Sequence, residues 1–129
     1  MPAVRTGNLL FLSGTLATSG HRAPAAGVIG GELDVKTGRE AAYTAALNAL
    51  AVTKQQLGSL DRVSQVVRLG VYVAATPEFR EHPQVADAAS ELLRDVFGEA
   101  TLSSRVVFGV ASLPLGSPVE LEVILELKP

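Results

Sequence analysis

Cysteine is absent from the 129 residues, and so is tryptophan. Without cysteine the chain has no disulfide, no thiolate metal site and no thiol nucleophile. Only two histidines occur, His21 and His82, too few for a typical zinc site. No metal or organic cofactor is therefore expected. Positive charge is not in excess either. Eleven Lys+Arg stand against thirteen Asp+Glu, a formal charge of −2. Such a balance offers no basic field for a phosphate backbone, so nucleic acid is an unfavoured partner. No apolar run has the length of a membrane span. At the N-terminus Arg5 falls where the apolar core of a signal peptide would begin. The expectation is one cytoplasmic domain over residues 1–129.

What is present fits that expectation. Hydrophobic residues make up 47 % and charged residues 19 %, the balance of a chain with a full core. Val4 to Gly14 reads as a hairpin turning at Thr6-Gly7-Asn8. Its second arm, Leu9-Leu10-Phe11-Leu12, has the continuous apolar run of a strand buried on both faces. Thr15 to Val35 reads as loop, with Val28-Ile29 as a short edge strand between glycines.

Thr37-Gly38-Arg39-Glu40 has the form of a capping box, which predicts a helix from Thr37 to about Leu57 with Gly58 beyond its end. Tyr43, Ala46, Leu47, Leu50 and Leu57 supply its apolar face. A strand follows within Asp61 to Ala74. Strict alternation puts Val67, Leu69, Val71 and Val73 on one face and Val66, Arg68, Gly70 and Tyr72 on the other. Pro83 opens a second helix with Val85, Ala89, Leu92 and Val96 as its buried stripe, closed by Gly98.

Two strands end the chain, Arg105–Ala111 and Val119–Leu127, joined through Leu113–Pro118. The last alternates without a break: Val119, Leu121, Val123, Leu125 and Leu127 against Glu120, Glu122, Ile124 and Glu126. The order predicts an α+β domain whose mostly antiparallel, mixed sheet carries two helices on one face. The other face keeps Val and Ile with no helix to cover it, which predicts self-association.

If the last two strands form a hairpin, Arg105 and Glu120 fall opposite one another. An Arg beside a Glu can hold a carboxylate ligand next to a proton acceptor. The plain alternative is a cross-strand ion pair worth a few tenths of a kcal/mol. Ser13-Gly14 offers a hydroxyl and a backbone N–H, or merely a strand end that needs small residues. His82, next to Pro83, reads as a surface residue in a turn, and His21 as part of a polar loop.

One stretch is more specific. Ser104-Arg105-Val106-Val107-Phe108-Gly109-Val110-Ala111-Ser112-Leu113-Pro114, followed by Val119-Glu120-Leu121-Glu122, resembles the signature of the RidA/YjgF family, also called the "endoribonuclease L-PSP" family. Gly7-Asn8, Ser13-Gly14, Asn48, Gly58-Ser59-Leu60-Asp61-Arg62-Val63 and Pro77-Glu78-Phe79 match further landmarks in order, so the resemblance covers nearly the whole chain. Details around Phe97-Gly98-Glu99 resemble a divergent branch.

The resemblance implies a chorismate-mutase-like fold and a homotrimer with clefts between subunits. It also implies cofactor-free hydrolysis of 2-imino and 2-enamino acids to 2-keto acids and ammonia. It places the substrate-carboxylate arginine at Arg105 and the acid beside the reacting water at Glu120. Ser13 and Gly14 line the cleft, and Val107 stands where imine hydrolases often carry Cys. The family's polar residue on the second helix maps near Asp87 or Ser90. A Tyr that often precedes the first Gly-Asn would fall before Met1. Three readings stay open: an imine/enamine deaminase, an endoribonuclease that inhibits translation, and a non-catalytic binder of small carboxylates.

Overall fold

The computed structural model describes residues 1–20, 22–99 and 103–129. Its elements are β1 (Ala3–Thr6), β2 (Leu9–Leu12), β3 (Thr15–Leu16), α1 (Val35–Leu57), β4 (Val63–Ala74), α2 (His82–Phe97), β5 (Ser104–Val110) and β6 (Val119–Leu127). The sheet runs β1-β2-β6-β4-β5, with β3 also pairing β6. Every pair is antiparallel except β4–β5. Parallel neighbours need a long crossover, and α2 provides it.

That topology corrects the expected terminal hairpin. β5 and β6 do not pair with each other; each pairs with β4, from opposite sides. Twelve residues of β4 present enough backbone for both partners, and a β5 paired to β4 in parallel cannot turn directly into β6.

β6 alternates as its sequence predicts, Val119, Leu121, Val123, Leu125 and Leu127 being buried. β4 does not. Val66 is 1 % exposed and Val67 36 %, the reverse of strict alternation. Register shifts between Val63/Gln65 and Val66/Arg68 mark bulges, and each extra residue turns the chain over by one side. β2 is buried on one face only: Leu10 and Leu12 point into the core while Phe11 is exposed. Val28-Ile29 forms no strand of its own. Ile29 is fully buried and bridges to Leu33 and Ala75.

α1 begins two residues before the proposed cap. Asp34 is the N-cap, its side chain accepting a hydrogen bond from the Thr37 N–H at 2.8 Å. The bond holds the Asp34 carboxyl below its ordinary pKa. At the other end Gly58 takes φ 83° and donates its N–H to the Lys54 carbonyl, a left-handed closure that suits glycine. Small residues form the buried face of α1: Gly38, Ala41, Ala42, Ala45, Ala46 and Ala49, with Leu50 and Thr53. Tyr43 and Leu47, expected inside, are exposed. An alanine face lets the helix axis approach the sheet closely. The large core side chains then come from the strands, chiefly Leu69, Val71, Val73 and Leu121 to Leu127.

α2 buries Val85, Ala86, Ala88, Ala89 and Leu93; Leu92 is only partly buried and Val96 is exposed. Both helices lie on one sheet face. Among the described residues the other face carries Phe11, Gln65, Arg68, Tyr72, Phe108 and the β6 row Glu120, Glu122, Ile124, Glu126, with no element over it.

Candidate functional site

Arg105 lies near the start of β5, the edge strand, aligned with buried Leu69 of β4. Aligned residues share a sheet face, so its side chain rises on the helix side. There its Nη1 donates to Asp87 Oδ1 at 2.9 Å and to Ser90 Oγ at 3.0 Å, both on α2. Among the described residues Nε and Nη2 have no partner. Those two nitrogens form the side-on fork of a guanidinium, the edge that grips a carboxylate with two parallel bonds. The side chain is 29 % exposed, so that edge is reachable. Val107, two residues on, is half-buried against the core and adds an apolar wall.

Glu120 aligns with Tyr72, three positions along β4 from Leu69. An odd step reverses the side, so Glu120 points to the uncovered face. Within one chain Arg105 and Glu120 therefore stand on opposite faces of the sheet, with β4 between their strands. The expected Arg–Glu juxtaposition is not formed within the subunit, because neither the hairpin nor the common face exists.

Glu120 instead meets the Ser13-Gly14 pair. Its carboxylate packs directly on Gly14, with Oε2 in the space that a β-carbon there would take. Burial raises the Glu120 pKa above the ordinary carboxylate value, and among the described residues no side-chain donor holds it. Ser13 donates its hydroxyl to the Met1 carbonyl and its N–H to the Pro2 carbonyl at 2.9 Å. Asn48 on α1 fixes the following segment by donating to the Leu16 and Thr18 carbonyls at 3.0 and 2.8 Å. Ser13, Gly14 and Asn48 all line an open cleft of about 410 Å³. The three sequence landmarks thus converge on one cleft, which Glu120 meets only at Gly14 and whose lining does not include Arg105.

The neighbouring acid, Glu122, is engaged. It accepts from Arg68 Nε at 3.1 Å, which raises the Arg68 pKa further, and from the Tyr72 hydroxyl at 3.4 Å. Of the row on β6, Glu120 is the acid left without a side-chain donor among the described residues, while Glu126 accepts from Gln65.

Sequence reasoning missed other features. His82 is not a turn residue but the first residue of α2. It is half-buried, edge-on to Phe79 at 4.9 Å between centroids, with Nε2 over Gly109. It lines a second cleft of about 730 Å³ at the carboxyl ends of β4 and β5, with Thr76, Phe79, Arg80 and Val110. His21 lies outside the described residues. Asp87 and Ser90 were separable only by structure, since either fitted the helix and both touch Arg105. Among the described residues no cluster of three or more His, Asp or Glu is arranged around a metal position, and no helix is long and apolar enough to cross a membrane.

An α+β chain with this strand order, two helices on one face and the other face bare has a chorismate-mutase-like fold. A family profile described as "YjgF/chorismate mutase-like, putative endoribonuclease" matches residues 2–127. The chain belongs to this YjgF/RidA family. It is similar to "Protein TCP17" of Trypanosoma cruzi, 39 % identical over 125 residues that span 96 % of this chain and 78 % of that protein. Among solved structures it resembles Atu1372 of Agrobacterium tumefaciens, a protein of unknown function. That match has a TM-score of 0.96 and 36 % identity, over 99 % of this chain and 81 % of that one. A "putative endoribonuclease" from Shewanella oneidensis has a TM-score of 0.93 and 33 % identity, over 98 % of this chain and 84 % of that one.

Proposed function

We propose that this protein hydrolyses reactive 2-imino and 2-enamino acids to 2-keto acids and ammonia, in clefts between the subunits of a homotrimer and without a cofactor. The observation that carries the reading is the open Nε–Nη2 fork of Arg105, a ready seat for a substrate carboxylate. Held by that end, the substrate presents its C=N carbon to water, and orientation supplies much of the rate. Water adds to the carbon as Glu120 takes one of its protons. That proton passes to nitrogen as the C=N π bond opens, giving a carbinolamine. Glu120 then takes the hydroxyl proton and hands it to nitrogen, the C–N bond breaks, and ammonia leaves as the C=O bond forms. A carboxylate whose pKa burial has raised is a better proton acceptor for this step than an exposed one.

Arg105 and Glu120 lie on opposite faces of one sheet, so both can reach one substrate only if a second copy contributes one of them. The uncovered face, with Phe11, Tyr72, Phe108 and Ile124 among charged groups, gives that copy a place to pack. This supports the trimer.

The name borne by the Shewanella relative favours a second reading, endoribonuclease. Its chemistry fits less well. The Arg105 charge is matched by Asp87 and the Arg68 charge by Glu122, on a chain of net charge −2. A third, non-catalytic carboxylate binding, shares Arg105 but not Glu120. The test is ammonia release from a freshly generated 2-imino acid, beside cleavage of a single-stranded RNA, for wild type, Arg105→Lys and Glu120→Gln. We expect ammonia release from wild type alone, with Glu120→Gln retaining keto-acid binding. RNA cleavage abolished by the same substitutions would replace this reading, as would binding without turnover.

A further inference from the structure

Asp87 and Ser90 are three residues apart on α2, and both hold the same nitrogen of Arg105. This is a specific arrangement for a guanidinium with five N–H donors. Two acceptors on Nη1 fix the rotation of the group and leave the side-on fork untouched. Had Asp87 taken that fork, the arginine would be spent on an internal ion pair. Asp87 also brings charge. Its carboxylate, 48 % exposed, stays beside the fork and cancels much of the Arg105 field. The other cations nearest by element are engaged elsewhere: Arg68 with Glu122, Arg39 with Glu91, and Arg94 with the adjacent Asp95. A ligand seated on Arg105 therefore meets one available fork and, beside it, the half-exposed Asp87 carboxylate, which among the described residues has no cation but Arg105.

We propose that Asp87 and Ser90 are positioning residues which aim the Arg105 fork, and that Asp87 restricts the site to monocarboxylic 2-keto or 2-imino acids by repelling a second carboxylate. One carboxylate gains two charge-assisted bonds at the fork. A second finds no unpaired cation on the neighbouring elements among the described residues of the same chain and lies near Asp87, so discrimination comes from repulsion as much as from attraction. The proposal rests on Arg105 being the carboxylate seat, and the experiment separates the two.

Affinities for pyruvate and 2-oxoglutarate are measured by calorimetry on the whole protein, with melting temperatures alongside. Asp87→Asn keeps an acceptor for Nη1 and removes the charge. It should leave pyruvate binding equal or tighter and improve 2-oxoglutarate relative to pyruvate by about tenfold, as a like charge removed at short range implies. Ser90→Ala should weaken both ligands roughly three- to tenfold, the worth of one positioning hydrogen bond, with Ser90→Thr restoring them. A merely structural role would instead move melting temperature and both ligands together. An unchanged 2-oxoglutarate-to-pyruvate ratio in Asp87→Asn, or undiminished binding in Ser90→Ala, overturns the proposal while Arg105→Lys still loses pyruvate. If Arg105→Lys binds pyruvate as wild type does, or wild type binds neither acid, the carboxylate seat itself is wrong and this proposal goes with it.

Discussion

The Glu120 carboxylate occupies the space that a side chain at Gly14 would need, with Oε2 where a β-carbon would stand. Glycine at this position is thus set by the acid on β6, the strand that pairs with both β2 and β3 on either side of the glycine. The contact places the acid beside the cleft lined by Ser13 and Asn48, and it helps to bury the carboxylate.

Gly14→Ala should push that carboxylate into solvent. The clashing atoms are the far end of a flexible side chain, so the fold should melt near the wild-type temperature while the Glu120 pKa falls back toward the ordinary value. The sign follows from burial. A raised folded pKa means that ionised Glu120 opposes folding above that pKa, and the cost fades as pH falls toward the unfolded value of about 4.3. Glu120→Gln should therefore melt higher than wild type at neutral pH and converge with it in acid. A carboxyl NMR titration of wild type and Gly14→Ala checks the pKa. An identical Glu120 pKa in both would show that the contact does not bury the acid.

The bulges in β4 make a sharper comparison. Val66→Ala removes two methyl groups from a position 1 % exposed and should cost about 2 kcal/mol, in the range of other large-to-small core changes. Val67→Ala, on the other side of the strand, should cost well under about 1 kcal/mol. Chemical denaturation of both variants decides it. Equal losses would place the two valines in equivalent environments.

That pair also marks how far the sequence is legible. Element types follow from local chemistry. The β6 alternation, the Gly58 closure of α1 and the Pro83 start of α2 are each written in a few adjacent residues. A bulge has no such signature: Val66 and Val67 are the same residue, and only the partner strand decides which faces inward. The parallel pairing of β5 with β4 is equally hidden, because Leu113–Pro118 reads as a hairpin loop whether or not its strands meet. Arg105, Glu120, Ser13 and Gly14 were identifiable by resemblance, but their arrangement depended on that pairing. The resemblance pointed to Asp87 or Ser90, but that both hold Arg105 is visible only once α2 is packed beside β5.

The cap of α1 turns on a similar ambiguity. Thr37 and Asp34 both have N-cap chemistry, and Thr37 is favoured by Glu40 three residues later. In the structure Asp34 accepts from the Thr37 N–H and Glu40 is not recruited. Asp34→Ala should lower the melting temperature, and Glu40→Ala should leave it unchanged. Because the Asp34 pKa is depressed, its contribution is present above the unfolded carboxylate pKa and is lost as pH falls through the folded one. The difference between wild type and Asp34→Ala should thus shrink in acid. A loss in Glu40→Ala equal to that in Asp34→Ala would restore the box that begins at Thr37.

The opposite-face placement of Arg105 and Glu120 allows the intersubunit reading to be tested without knowing the natural substrate. If each cleft takes Arg105 from one copy and Glu120 from another, then Arg105→Ala and Glu120→Ala homotrimers are both inactive, since every cleft lacks one group. Mixed subunits behave differently. A cleft formed between an Arg105→Ala chain and a Glu120→Ala chain has both groups intact in one of its two orders. Random mixing of equal amounts, by joint unfolding and refolding, should then restore about a quarter of wild-type ammonia release. If one chain supplied both groups, every cleft would keep one defect and mixing would restore nothing. Restoration therefore requires both a shared cleft and an assembly of at least two copies. Activity that stays at background after mixing, in a preparation that light scattering shows to be mixed and assembled, would separate Arg105 from Glu120 as partners in one site.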